Sequence, residues 1–224
     1  MLHHKTPKDK LKNLIFNEII SKESYYGVVW SGLYKDKKTC VIKMVRIANS
    51  LGKEPSLFQK NDHRPFKHKL FFEKSSMTKE MFLNEVQKQL TLFKLGIAPK
   101  IYSYWIDDVS YPLHYGFIVM KKLDCTVKDI LLKRDLLNSE NIMVTSLINT
   151  LHQNHEIVHR DMKPANIGVF LDQEKVIIKC LFLDCCNVRF KSDVSSNEFN
   201  RLVKQDWEKY HLHTKKNIQQ RVLS

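Results

Sequence analysis

The chain has 224 residues, of which 43% are hydrophobic and 27% charged, with a formal net charge of +13. That balance fits a globular protein of one large domain or two small lobes, and no apolar run reaches the roughly 18 residues of a membrane span. Five cysteines with no Cys-x-x-Cys or Cys/His ligand spacing exclude a disulfide framework and a zinc site as organising features.

Residues 1–14 read as a basic lead-in. Positive charges without an apolar core behind them predict no secretory signal, so a cytoplasmic location is expected, with Cys185 and Cys186 as reduced thiols. Lysines are scattered along the chain rather than gathered in one tract. That scatter suits solubility and argues against nucleic acid, and it leaves an acidic protein segment open as a partner.

From Ile15 the pattern turns to strand, through Ile15, Phe16, Ile19 and Ile20, then Gly27 to Tyr34, then Thr39 to Val45 after the polar turn at 35–38. Such runs separated by short polar turns predict an antiparallel meander. Residues 47–78 form a long polar connection with a basic centre (His63, Arg64, Lys67, His68, Lys69), a length usually tied to function or mobility. Helical spacing follows over Lys79–Leu95, with Met81, Phe82, Val86, Leu90 and Phe93 on or near one side, and Gly96 and Pro99 end it. Strands are expected at Ile101–Ile106 and Tyr115–Met120. Helices are expected over 126–137, opened by Thr126 with Asp129 three residues on, and over 139–154, with Ile142, Leu147, Ile148 and Leu151 apolar. A strand, turn and strand then end in Leu183-Asp184. Residues 197–220 are helix-compatible, with Phe199, Leu202, Trp207, Tyr210 and Leu212 as the apolar members.

Between these last helical and strand segments lies His159-Arg160-Asp161-Met162-Lys163-Pro164-Ala165-Asn166, which sets a carboxylate, an ammonium and a carboxamide at tight spacing. It resembles the catalytic loop of eukaryotic-type protein kinases, His-Arg-Asp followed by four residues and Asn. Cys40-Val41-Ile42-Lys43 is similar to that family's third-strand Val-Ala-Ile-Lys, and Glu85 falls where the family places the helical glutamate that pairs with this lysine. The resemblance implies an α+β, two-lobed protein-kinase-like fold. Its N-lobe, residues 15–122 with an insertion at 47–78, is an antiparallel β-sheet; its C-lobe, residues 123–224, is reduced and mainly helical. Compact relatives of this kind include the minimal kinases of the RIO type, the casein-kinase and vaccinia-related branch, and small kinases of large DNA viruses.

What the resemblance implies for chemistry is ATP- and Mg²⁺-dependent phosphoryl transfer to a serine or threonine of a protein substrate. Asp161 is the catalytic base and Lys163 the stabiliser of charge on the transferred group. Asn166 and Asp184 are the Mg²⁺ ligands. Gly27, Val29, Lys43, Glu85, Met120, Lys121 and Leu123 belong to the nucleotide site. Asp206 is the candidate for the helical aspartate that braces the catalytic loop.

The sequence departs from the family in two places. The first two glycines of the phosphate-covering loop are Lys22 and Ser24, so only Gly27 is kept; Lys22 either offers a charge to phosphate or points into solvent. The Asp-Phe-Gly motif is Asp184-Cys185-Cys186. These departures support an alternative, a pseudokinase or docking module using the nucleotide pocket for interaction. A small-molecule kinase of related fold is a further option, which the Lys-Pro after Asp161 disfavours.

Overall fold

The computed structural model describes residues 13–21, 27–35, 38–48, 76–107 and 114–223. They form an α+β protein that divides into two compact units, Met1–Gln87 with Lys100–Lys122, and Lys88–Pro99 with Leu123–Ser224. Among the described residues no helix is long and apolar enough to cross a membrane.

The first unit is built on five strands: β1 (Leu14–Ser21), β2 (Gly27–Tyr34), β3 (Lys38–Ile47), β4 (Ile101–Asp107) and β5 (His114–Lys121). They pair antiparallel in the order β1-β2-β3-β5-β4. Period-two alternation in β3 decides what each face does. Cys40, Ile42 and Met44 join one apolar cluster with Val28, Trp105 and Phe117, whose aromatic rings stack at 4.9 Å. The opposite face carries Lys43 and Val45. Val45 pairs with Gly116, and a Cβ on Gly116 would lie 2.6 Å from the Phe82 ring. Phe82 belongs to helix α1 (Lys79–Lys94). The first half of α1 therefore packs on the Lys43 face.

The buried side of α1 is Phe82, Glu85, Val86, Gln89 and Leu92, whereas Met81 and Phe93 are exposed. This corrects the apolar face expected from spacing. Two polar side chains replace two apolar ones on the inward stripe, because Glu85 and Gln89 find partners there. The ends of the 47–78 connection are also ordered. Met77 donates its N–H to Arg46 O and accepts from Ala48 N–H, in a parallel bridge between Ile47 and Met77. The basic centre of that connection, Lys22, Ser24 and Pro112 lie outside the described residues.

The second unit holds β6 (Cys125–Thr126), β8 (Ile167–Leu171) and β9 (Ile177–Phe182) in one small antiparallel sheet, and β7 (Ile157–Val158) paired with β10 (Arg189–Phe190). Around them lie α2 (Val127–Leu131), α3 (Asn138–Asn149) and α4 (Ser196–Leu223), with a core that includes Leu92, Val144, Ile148, Leu151, Ile167 and Phe182. α2 opens with the expected Thr126/Asp129 capping box but stops at Leu131, well short of residue 137. Glu140 accounts for the early stop. It accepts two bonds from Arg134, at 2.6 and 2.7 Å, and one from the Leu137 N–H at 2.8 Å, which closes a loop where helix was expected.

α3 ends earlier than expected as an α-helix and continues as a π-turn, Thr150–Asn154. Ile142 and Leu212, counted among the apolar members of their helices, are 56% and 51% exposed. In their place Glu140, His152 and Asp206 turn inward, each with a hydrogen-bond partner.

Candidate active site

Lys43 and Glu85 meet inside the first unit. Strand alternation points Lys43 toward α1, and Glu85 lies three residues after Phe82 on the same helix face. The Nζ to Oε1 distance is 2.6 Å and both residues are buried. A buried ammonium or carboxylate alone is costly, so each makes the other tolerable.

Gly27 is also explained within this unit. It pairs with Val45, and a Cβ there would stand 2.1 Å from the Met44 carbonyl oxygen. Close strand approach alone demands glycine at this position, whatever role it has toward phosphate. Val29 pairs with Lys43, and Met120 is a half-buried residue of β5. Lys121 is exposed and its N–H donates to Lys100 O at 2.9 Å.

The second unit holds the His159–Asn166 loop, and Asp206 of α4 is its anchor. Asp206 is wholly buried. Its Oδ2 accepts from the His159 N–H at 2.7 Å and lies 3.1 Å from His152 Nε2, while Oδ1 accepts from the Arg160 N–H at 2.8 Å. Three donors thus satisfy one carboxylate. The π-turn delivers His152 to this point, and Lys209, one turn beyond Asp206, donates from Nζ to Arg160 O at 2.6 Å.

Arg160 has φ of +67°, a left-handed conformation costing a non-glycine residue about 1 kcal/mol or more. It is held there from both of its backbone sides by a single helix. Sequence reading had singled out Asp206 but not His152 or Lys209. Their spacing around Asp206 carries no pattern until the helices are packed.

His159 links the loop to the end of β9. Its ring is buried, and its Nε2 lies 2.9 Å from the Leu183 carbonyl, a bond in which Nε2–H donates. Burial pushes the imidazole below its ordinary pKa, and Asp206 only partly offsets this, so the neutral ring is favoured.

Asp161 is positioned by its own loop. Asn166 Nδ2 donates to the Asp161 carbonyl at 2.9 Å and to its Oδ2 at 2.8 Å, and Lys163 Nζ lies 2.9 Å from the same Oδ2. The amide orientation leaves Asn166 Oδ1 as the side chain's acceptor. The ladder between β8 and β9 reaches the loop where Leu183, which precedes Asp184, donates its N–H to Asn166 O at 2.8 Å. Asp184 is itself left-handed, with φ of +51°, and opens the 3-10 turn Cys185–Asn187. Cys185 is buried, and the Cys186 carbonyl accepts from Lys88 Nζ at 2.9 Å. Leu123, also of this unit, packs on β8, where a Cβ on Gly168 would come within 2.4 Å of its Cδ1.

Asn166 Oδ1 and the Asp184 carboxylate are hard oxygen donors, the type Mg²⁺ takes when it keeps waters and phosphate oxygens as its other ligands. Among the described residues no three His, Cys, Asp or Glu side chains gather to hold a metal. An all-protein metal cage is therefore not what these residues build.

Compared with known proteins, the sequence matches no family model and no curated protein.

Proposed function

We propose that the chain is an ATP- and Mg²⁺-dependent serine/threonine protein kinase whose α+β architecture is the two-lobed kinase fold. The observation that carries this reading is the state of the His159–Asn166 loop. Asp161, Lys163 and Asn166 are bonded to one another, and the loop backbone is tied to a buried aspartate 45 positions beyond Asp161, at Asp206. Loops with incidental surface charges have no need of such bracing.

In the proposed reaction the substrate hydroxyl oxygen forms a bond to the γ-phosphorus as the bond to the β-γ bridging oxygen breaks, and ADP leaves. Asp161 takes the hydroxyl proton; Oδ1 is the oxygen open to it, because Asn166 and Lys163 both bind Oδ2. Lys163 neutralises charge on the transferred group. Lys43, oriented by Glu85, binds nucleotide phosphate oxygens. Asn166 and Asp184 would hold Mg²⁺, which supplies charge neutralisation on the phosphates.

Asp161→Asn tests this directly. It should lower transfer of labelled phosphate to a protein by about 10²–10⁴-fold, the usual weight of a general base. Asp161 is partly exposed, so unfolding stability should change by no more than about 1 kcal/mol. Wild-type protein that labels neither itself nor any test protein with Mg-ATP would sink the reading.

The alternative, a docking module that keeps the pocket but not the activity, is favoured by Lys22, Ser24 and Cys185-Cys186 in place of the family's residues. A thermal-shift titration separates nucleotide binding from its absence, because a ligand of the native state raises its stability. Millimolar ATP and Mg²⁺ with no shift supports the module.

A further inference from the structure

Helix α4 changes character at Lys209. Before it, cations have acidic neighbours on the helix: Arg201 stands 3.7 Å from Glu198, and Lys204 3.8 Å from Glu208. From Lys209 onward the sequence contains no Asp or Glu at all, yet it holds Lys209, Lys215, Lys216, Arg221, His211 and His213. Arg221 is bonded to Asp135 at 2.8 Å. Among the described residues no carboxylate reaches Lys209 or Lys216 within ion-pair distance, and both are exposed.

These two lysines are not placed at random. Lys209, the histidine His213 and Lys216 follow one another at i, i+4 and i+7, so they share one stripe. That stripe starts at the catalytic loop, where Lys209 Nζ bonds Arg160 O. The buried residues Asp206, Tyr210 and Asn217 run alongside it and pack α4 against the unit's interior.

The charges around half-buried His213 locate the stripe further. Burial is the first cause that lowers its pKa, Lys216, Lys163 and Lys209 push the same way, and Asp161 opposes them. Catalytic-loop and helix charges therefore converge on one histidine. Like charges on one helix face repel and add nothing to folding, so two lysines on the stripe that begins at Arg160 call for an external anion.

We propose that Lys209, His213 and Lys216, with Lys163, form the docking surface for an acidic segment flanking the acceptor hydroxyl: a peptide with Asp or Glu within a few residues of its serine or threonine. This deepens the kinase reading and rests on it. A nucleic acid fits less well, because Tyr210 is buried and Trp207 half-buried, which leaves α4 with no exposed Trp, Tyr or Phe among its described residues on which bases could stack.

The test uses full-length protein and two fluorescent peptides, identical except that Glu or Lys flanks a single serine. Binding is read by anisotropy and phosphorylation by steady-state kinetics. The Glu peptide should bind more tightly. Lys216→Glu should weaken that binding about fivefold or more, whereas Lys204→Glu, the same charge change elsewhere on the helix, should change it less than about twofold. In kinetics Lys216→Glu should raise KM for the Glu peptide with kcat little changed, the mark of a contact made equally in ground and transition states.

Equal binding of the two peptides, or equal effects of Lys216→Glu and Lys204→Glu, overturns the proposal. So does tighter Lys216-dependent binding of a single-stranded oligonucleotide. Lys216-dependent binding of the Glu peptide without phosphate transfer to any peptide supports the surface and refutes the kinase reading. Transfer without flank preference does the reverse.

Discussion

Glu85 and Asp206 are both buried carboxylates, one in each unit, and they are stabilised in different ways. Glu85 has a single partner that settles its charge, the Lys43 ammonium at 2.6 Å. Asp206 is held by two backbone N–H groups of the His159–Asn166 loop and by His152. The first is a side-chain pair, which can be removed as a pair. The second fixes main chain, including the left-handed Arg160, and cannot be removed without releasing the loop. A carboxylate that bonds backbone amides shapes a fold; one that bonds a side chain mainly sets a charge.

The largest expected effect follows from this contrast. Asp206→Ala should destabilise the protein by about 3–5 kcal/mol, because it leaves one buried and one part-buried N–H group and a buried histidine without their acceptor. Asp206→Asn, which keeps one oxygen, should recover part of that loss in denaturant unfolding. A cost below about 1 kcal/mol for Asp206→Ala would erase the distinction between the two carboxylates.

Lys43→Met comes next, at about 3 kcal/mol, since Glu85 is left buried without its counter-charge. The double variant Lys43→Met/Glu85→Leu should regain most of that stability, as replacing a buried ion pair by apolar residues is often neutral. On the proposed function it should not regain a thermal shift with ATP and Mg²⁺. Recovery of both would deny Lys43 a nucleotide role.

A third carboxylate, Glu140, tests the comparison through pH. Bonds from Arg134 are the main cause that lowers its pKa, helped by the Ile177 and Leu137 N–H groups, from the ordinary 4.5 to about 2. A carboxyl depressed in the fold contributes stability that is complete above its unfolded value. That stability is lost as pH falls from about 4.5 through about 2. Glu140→Gln should cost about 2 kcal/mol near neutral pH and flatten the acid limb of the stability curve over that window. An unchanged acid limb would mean that the Arg134 bond persists in the unfolded chain.

The smallest effect belongs to the exposed helix pair. Glu208→Gln, which breaks the 3.8 Å contact with Lys204, should change stability by less than about 0.5 kcal/mol.

Much of the first unit was legible in the sequence. Alternating apolar residues marked β1, β2, β3 and β5, because a half-buried strand has period two and the code is local. Lys43 and Glu85 were matched in advance through the resemblance to the kinase motifs, and the structure joins them at 2.6 Å. The outline of α1 was also visible, but its inward face was not. Glu85 and Gln89 turn inward there by finding buried partners, which no hydrophobic pattern records.

The second unit was legible mainly in its loop. The residue types and spacing of Asp161, Lys163 and Asn166 are written within six positions, and the structure binds them to one another as that spacing allows. What holds that loop was legible only as far as Asp206, which the resemblance singled out. His152 precedes Arg160 by eight residues and Asp206 follows it by 46, and the two meet only because α3 closes in a π-turn and α4 packs beneath the loop. Likewise, that the stripe of Lys209, His213 and Lys216 begins at Arg160 was decided by how α4 is laid down. Sequence alone determined which elements form and which short-range chemistry they carry, because those depend on local periodicity and spacing. The tertiary structure decided which distant charges meet, because burial and hydrogen bonding between elements have no signature within either one.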